Sequence, residues 1–415
     1  MYHMTVPSSA APRIAAKQLA QVTRVLPAAV VTGARQTGKS TLVRSSPLLA
    51  DYAYLTLDNI ETQRRAAEAP NALLTSADRV IVDEIQRAPA LILVIKELID
   101  TDPTGQAGRF ILTGSTNLLG LRTIGETLAG RAGYVTLWPM SRREALGDGR
   151  AGRWSELLGT APSAWRDLVL AGPAIEESWS SVARRGGYPV PAVRLHEPTD
   201  RETWFQGYID TYLRRDVPEI TAVSRPLDFH RLMQRVVLDI GQLEHQARWA
   251  TELGLSRPTV GRWLDLLEVS YQLVRVPAWT LNRRKQLVKA RKIYWADTGL
   301  AAALVGERQP TGPYLENVVL SDLLVWQGGE PRRPGIFHWR TRDGYEVDFV
   351  VESVDRTLLP VEIKASATVG LNDARGLVQF LREYPEARAG LILYGGRDVT
   401  WVTDTVLAVP WWRVL

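Results

Sequence analysis

The chain has 415 residues, room for two to four domains, and its 45% apolar and 23% charged side chains are those of a globular protein, so disorder is not the expectation. It has no cysteine, which excludes disulfides, thiolate zinc sites and cysteine nucleophiles, and its five histidines are too scattered for a histidine metal site. Net charge is +5, yet residues 271–310 alone carry eight basic and two acidic side chains, an asymmetry that points to a polyanionic partner or a solvated basic face.

No apolar run approaches the roughly 18 residues that span a bilayer. The amino end lacks an apolar segment with a cleavage site. The expectation is a cytoplasmic protein without a membrane partner. In chain order, PAAVV reads as a buried strand, and VVTGARQTGKSTLV (30–43) carries the full G-x-x-x-x-G-K-[ST] pattern at Gly33, Gly38, Lys39 and Ser40. Glycines at those positions let successive backbone N–H groups of Ala34, Arg35, Gln36 and Thr37 turn toward a phosphate. Lys39 adds a mobile positive charge, Ser40 offers a hydroxyl to Mg²⁺, and the helix starting near Thr41 points its positive end at the anion. A nucleotide phosphate is therefore expected here, with ATP and Mg²⁺ as cofactors.

DYAYLTLD (51–58) reads as a second strand, followed by a helix to about residue 76. RVIVDEIQRAP (79–89) reads as a third, ending in Asp83 and Glu84. Two carboxylates at a strand tip beside a phosphate loop suit a division of labour: Asp83 for the metal's water shell and Glu84 to polarise the attacking water. GRFILTGSTN (108–117) supplies a fourth strand, where Ser115, Thr116 or Asn117 could sense the terminal phosphate. GYVTLWPM (133–140) is the fifth.

A strand inserted between the two motif strands, with a glutamate after the aspartate, resembles the AAA+ branch of P-loop ATPases. GETLAGRAGYVTLWPMSRREAL narrows the resemblance to a bacterial and archaeal family of AAA ATPases fused to an uncharacterised C-terminal region. By that resemblance Arg131, in a Leu-Ala-Gly-Arg turn, would sense or complete the γ-phosphate site. Acting in trans, it would require a homo-oligomer; otherwise it has a cis or purely structural role. RRGGYP, YIDTYLRRDV and KIYWADTGLAAAL resemble the same family.

From about residue 145 the pattern becomes helical, with an aromatic stripe (Trp204, Tyr208, Tyr212) that reads as core. LEHQARWATELGLSRPTVGRWLDLLEVSYQLVRVPAW (243–279) reads as helix, tight turn at Gly254, second helix, then a β hairpin, a helix-turn-helix with a wing. Its second helix would present Arg257, Thr259 and Arg262 outward, and the wing runs into NRRKQLVKARK with Arg283, Arg284 and Lys285. Such a unit either reads duplex DNA or packs against protein.

In GYEVDFVVESVDRTLLPVEIKAS (344–366), Glu362 and Lys364 share a strand face, and Asp348 on the partner strand is close enough to share one Mg²⁺ with Glu362. Lys364 could then orient water or stabilise developing charge. The order helix, hairpin, helix, strand resembles the PD-(D/E)-x-K nuclease fold. Under that resemblance Asp348, Glu362 and Lys364 match the triad, Glu316 matches the accessory acid, and Val347-Asp348 replaces Pro-Asp. The fold also hosts non-catalytic binders.

The expected architecture is α/β: a parallel-sheet AAA+ core (1–145), a helical lid (146–225), a winged-helix region (226–310) and a restriction-endonuclease-like domain (311–415). The expected activity is ATP hydrolysis coupled to a nucleic-acid-binding C-terminal half. Alternatives are an ATP-regulated DNA nuclease and an ATP-gated scaffold for a protein partner.

Overall fold

β-branched and apolar runs with little polar interruption form interior strands, and the first sheet follows that rule. The computed structural model describes residues 11–114, 127–172, 175–213, 225–286 and 289–415. Ala28–Thr32 (β1), Ala53–Thr56 (β2), Val80–Asp83 (β3), Phe110–Thr113 (β4) and Ala132–Thr136 (β5) form an all-parallel sheet in the order β2-β3-β4-β1-β5. β1, β3 and β4 are buried along their whole length. The extra strand expected between the two motif strands is therefore β4. Helices Ala15–Val25 (α1), Lys39–Ser45 (α2), Ile60–Glu68 (α3), Pro70–Leu74 (α4) and Leu91–Asp100 (α5) connect and cover these strands. Asn59 starts α3 by accepting the amides of Glu61 (2.8 Å) and Thr62 (3.2 Å), two N–H groups that the helix cannot satisfy itself.

Beyond β5, Ser141 and Glu144 form a reciprocal capping box at the start of Arg142–Ala145. Glu144 is fully buried and also binds the segment before α1, accepting Ile14 N (2.6 Å) and Arg13 Nε (3.2 Å). Helices follow through Trp179–Arg185, Pro198–Thr211 and Pro226–Val237. The expected aromatic stripe is core: Phe205, Tyr208 and Tyr212 are buried, with Trp204 packed against them.

The helix Gln246–Leu253 ends at Gly254, whose φ of +64° turns the chain into Arg257–Val269, capped by Ser256. Leu273–Val276 (β6) then pairs antiparallel with Lys292–Trp295 (β7), and the basic stretch lies in the long connection between them.

The last region is a six-stranded mixed sheet, β12-β13-β11-β10-β9-β8. Its strands are Gly335–Arg340 (β8), Glu346–Glu352 (β9), Leu358–Lys364 (β10), Gly390–Tyr394 (β11), Thr400–Thr403 (β12) and Val406–Pro410 (β13). Alternation of side chains sends Phe349, Val351, Leu359 and Val361 into the cluster with helix Gly312–Gly329, while Val350 and Leu358 pack with Leu377 and Phe380 of Arg375–Glu383. The three later modules expected from sequence share one hydrophobic cluster, running from Trp154 to Leu415 and reaching Ala34 of the glycine-rich loop. Among the described residues no helix is long and apolar enough to cross a membrane.

Two buried carboxylates bind these regions together. Asp322 accepts Trp154 Nε1 (2.6 Å) through Oδ1, while its Oδ2 has no partner. Burial pushes its carboxyl up to about 6, and burial likewise pushes Asp297 up to about 6. A carboxyl whose folded pKa lies above its unfolded value near 3.9 binds its proton more tightly when folded. Its contribution is therefore greatest below about pH 4 and is lost as pH rises to about 6. Asp322→Asn is expected to flatten this fall, raising Tm at pH 7.5 more than at pH 4.5; an equal shift at both pH values would show that Asp322 does not titrate in that window.

Candidate nucleotide site and C-terminal carboxylate cluster

The glycine-rich loop joins β1 to α2, the strand–loop–helix setting its chemistry requires. Gly33 has φ +140°, and a Cβ there would lie 2.3 Å from the carbonyl oxygen of Leu137. Gly38 has φ +95°. Ala34 and Thr37 are buried, and Thr37 Oγ1 donates to Ala34 O (2.9 Å). Lys39 Nζ donates to the carbonyls of Gly33 (3.0 Å) and Ala34 (2.8 Å), folding its charge into the concavity. Arg35 is half-buried, while Gln36 and Thr41 are exposed at the rim.

Ser40 Oγ donates to Asp83 Oδ1 (3.1 Å), so the two residues expected at the metal meet across the β1–β3 gap. Thr113 donates to the same carboxylate oxygen and Tyr54 to the other, both in short hydrogen bonds. Burial, then the bond to Asp83, raises the Tyr54 phenol above its ordinary value, so it stays a donor. Glu84 follows at φ +61° with its amide on Thr113 Oγ1 (3.4 Å) and its carboxylate on the Gln86 side chain. Among the described residues four non-glycines have positive φ, and three of them (Gln36, Glu84, Tyr271) touch this site or its base. Such conformations cost on the order of 1–3 kcal/mol each and gather where a site holds them.

Several neighbours of the loop escaped the sequence reading. Arg13 Nη1 donates to Thr37 O (2.7 Å) and Nη2 to Trp138 O (2.6 Å), clamping loop to sheet. Tyr271 OH donates to Thr32 Oγ1 (2.9 Å) at the end of β1. The side chain of Pro189 lies 3.7 Å from where a Gly38 Cβ would stand. Strand order alone would have placed Thr113 beside Asp83; no local pattern marks the others. Ser115, Thr116 and Asn117 lie outside the described residues.

Arg131 does not complete the phosphate site of its own chain. It precedes β5, which runs parallel to β1 with Ala132 opposite Ala28 and Thr136 opposite Thr32. A strand length, about 15 Å at roughly 3.3 Å per residue, therefore separates it from the loop. Its guanidinium pairs with both oxygens of Asp100, Nη2 at 3.0 Å.

In the C-terminal sheet, Asp348 on β9 lies beside Glu362 and Lys364 on β10, as the spacing implied, and Glu316, named only through the resemblance, lies near Asp348 across Lys292. Ile363 N donates to Asp348 Oδ2 (2.9 Å), and Lys364 Nζ to Glu362 Oε1 (2.7 Å). Two unforeseen residues join them. Lys292 of β7, 2% exposed, donates to Asp348 Oδ1 (3.0 Å), pairs closely with Glu346 and lies 3.8 Å from Glu316 Oε2. Burial alone would lower the Lys292 ammonium; facing Tyr294, Asp348, Glu316 and Glu346 outweigh it and hold it well above its ordinary value. Burial and the neighbouring Asp348 push Glu316 up to about 8 and Glu362 well above the carboxylate range. Asp348 Oδ1, expected with Glu362 to hold Mg²⁺, thus accepts an ammonium here, one from the basic run that sequence read as a strip facing a partner or solvent.

The basic strip is smaller than its charge count implied. Arg275 is buried among Glu244, Asp265 and Glu268, and Arg291 pairs with Glu244 and Glu268. Arg284, Lys289, Arg257 and Arg262 are exposed, whereas Thr259, expected beside them, is half-buried. The side chains of Arg283 and Lys285 lie outside the described set.

Residues 26–146 match the AAA domain family, and this match, over the segment that holds the phosphate loop, supports binding and hydrolysis of ATP. Residues 176–311 match a domain of unknown function, DUF8612, and residues 311–414 another, DUF4143. An uncharacterized protein of Mycobacterium tuberculosis is 29% identical over 408 residues, spanning 96% of this chain and 83% of the relative. One from Haemophilus influenzae is 23% identical over 358 residues, 79% of this chain and 80% of the relative. Among solved structures, a Walker-type ATPase of Pyrococcus abyssi is 17% identical with a TM-score of 0.42, covering 70% of this chain and 94% of that one. RuvB of Thermotoga maritima is 20% identical with a TM-score of 0.29, covering 66% and 93%.

Proposed function

We propose that this chain is a Mg²⁺-dependent ATPase that couples hydrolysis to a nucleic-acid-binding C-terminal half. The observation that carries the reading is Ser40 meeting Asp83 beneath a loop whose glycines and Lys39 are shaped for phosphate. The loop amides and Lys39 hold the phosphates, Ser40 and Asp83 hold the metal, and Glu84 orients the attacking water. Bound Mg²⁺ would neutralise charge developing on the transferred phosphoryl group. Thr113 and Tyr54 fix the Asp83 carboxylate by donating to it. Arg131 would serve only a neighbouring chain's site, which makes a homo-oligomer part of this reading.

Coupling is supported by the Tyr271 bond to Thr32 at the end of β1 and by the position of Pro189 beside Gly38 of the loop, both from the second half. Helix-turn-helix, paired strands and exposed Arg257, Arg262 and Arg284 suit a winged-helix reader of duplex DNA. The C-terminal element order suits a restriction-endonuclease-like fold acting as a binder. If so, affinity for a fluorescent duplex should fall steeply between 50 and 200 mM salt. Arg257→Ala/Arg262→Ala/Arg284→Ala should weaken binding about tenfold or more and flatten the slope by roughly one unit per lost phosphate contact. Binding indifferent to salt and to these substitutions would favour the scaffold reading instead.

A further inference from the structure

We infer that Lys292 is the resident counter-ion of the C-terminal carboxylate cluster: its ammonium takes the place a divalent cation would fill among Glu316, Glu346 and Asp348, so the chain holds no metal there and leaves phosphodiesters uncut. The nuclease resemblance calls for a metal between Asp348 and Glu362, and the residues present do not fit one. Mg²⁺ needs about six oxygens at roughly 2.1 Å in octahedral array. Here Asp348 Oδ1 is taken by Lys292 (3.0 Å), Asp348 Oδ2 by the Ile363 amide (2.9 Å) and Glu362 Oε1 by Lys364 (2.7 Å). Within this cluster, Glu362 Oε2, in a residue 9% exposed, is a buried carboxylate oxygen left without a hydrogen-bond partner. Among the described residues no group of three or more acids or histidines is placed to hold a metal ion.

Lys292 is not a surface lysine that happens to fold inward. Its strand is fixed on one side by pairing with β6, Lys292 opposite Val276, and on the other by residues 241–244: Glu244 N to Arg291 O (2.8 Å), Ile293 N to Gln242 O (3.0 Å) and Gly241 N to Ile293 O (2.8 Å). Tyr294, two residues on, donates to Glu316 Oε2 (3.1 Å) and so orders a second member of the cluster. A cation entering among these carboxylates would face an ammonium sharing the same oxygens, in a buried setting where like charges are poorly screened. Removing that ammonium leaves the acids with their oxygens converging and uncompensated, which is the composition of a hard-cation site.

The test is a Mn²⁺ titration of the nucleotide-free full chain, read by the free-ion electron paramagnetic resonance signal, with Asp348→Asn as the control that marks binding at this cluster. Wild type should show no Asp348-dependent Mn²⁺ up to millimolar concentrations. Lys292→Met should gain one such ion with at least tenfold tighter binding than that limit, and Lys292→Met/Asp348→Asn should lose it. Should Lys292→Met fail to fold, Lys292→Met/Glu316→Gln removes the ammonium together with one of the acids it faces and carries the same expectation. Asp348-dependent Mn²⁺ in wild type, or a folded Lys292 variant that gains none, overturns the inference. So does Mn²⁺-dependent plasmid nicking by wild type that disappears in Lys364→Ala.

Discussion

Glu84→Gln is expected to bind ATP as wild type does and to hydrolyse it about 10²- to 10⁴-fold more slowly, the range a positioned general base contributes. The substitution keeps the volume and the contact with Gln86 but removes the charge that polarises water. Asp83, one residue earlier, is already committed to three hydroxyl donors, Ser40, Tyr54 and Thr113, and so is a poor base. Glu84 instead stands at φ +61° immediately past the strand, where the turn lifts its carboxylate clear of that network. Lys39→Ala should lose ATP binding itself, since the lysine supplies the loop's mobile charge. Equilibrium binding of a fluorescent ATP analogue and single-turnover phosphate release separate the two. Hydrolysis by Glu84→Gln at the wild-type rate would move the base elsewhere.

The second large effect is expected far from any phosphate. Asp297→Ala should destabilise the chain by up to roughly 6 kcal/mol, from one buried and one half-buried amide left unpaired at about 1–3 kcal/mol each. Asp297 Oδ2 accepts Gly187 N (2.6 Å) and Oδ1 accepts Leu300 N (2.8 Å), so one carboxylate both caps helix Thr298–Val305 and holds the RRGGYP turn. That turn admits no side chain: a Cβ on Gly186 would lie 2.4 Å from Asp297 Oδ1, and one on Gly187 2.3 Å from Met140 O. Pro189 of the same turn reaches the glycine-rich loop, so ATP affinity should fall together with stability. Asp297→Asn keeps one acceptor and should lie between wild type and alanine in urea denaturation. Equal stability of all three would remove the carboxylate from this role.

The parts of this molecule legible in its sequence are those written in local pattern. β1, β3 and β4 announce themselves as unbroken apolar runs, and the phosphate loop by glycines whose backbone angles only glycine adopts cheaply. Gly254 and Ser256 likewise mark the turn and cap between two helices. What could not be read is what the tertiary fold decides. Arg275 and Lys292 look, in a basic stretch, like surface charge, yet β6 and β7 turn them into buried acidic surroundings. Arg131 sits in a turn that resembles a γ-phosphate sensor, but the parallel pairing of β5 with β1 puts it at the far end of the sheet. Arg13, twenty residues ahead of Gly33, has no pattern to betray it, because its partners are the carbonyl groups of Thr37 and Trp138 and the distant Glu144. The GG of RRGGYP invites a functional reading and is explained by close approach to Asp297 and Met140.

The Arg13 clamp bears on how the molecule can be divided. The AAA family match begins at residue 26, after Arg13 and all of α1. Cut at that boundary, the nucleotide loop would lose the guanidinium that anchors Thr37, and cut at the end of the match, residue 146, Ala34 would lose the cluster that buries it. The border drawn by sequence similarity and the border drawn by cohesion therefore differ. An excised ATPase segment would be a fragment of a machine rather than a working subunit of it, and exchanging this segment between relatives would require carrying the preceding helix and the residues facing Ala34 along with it.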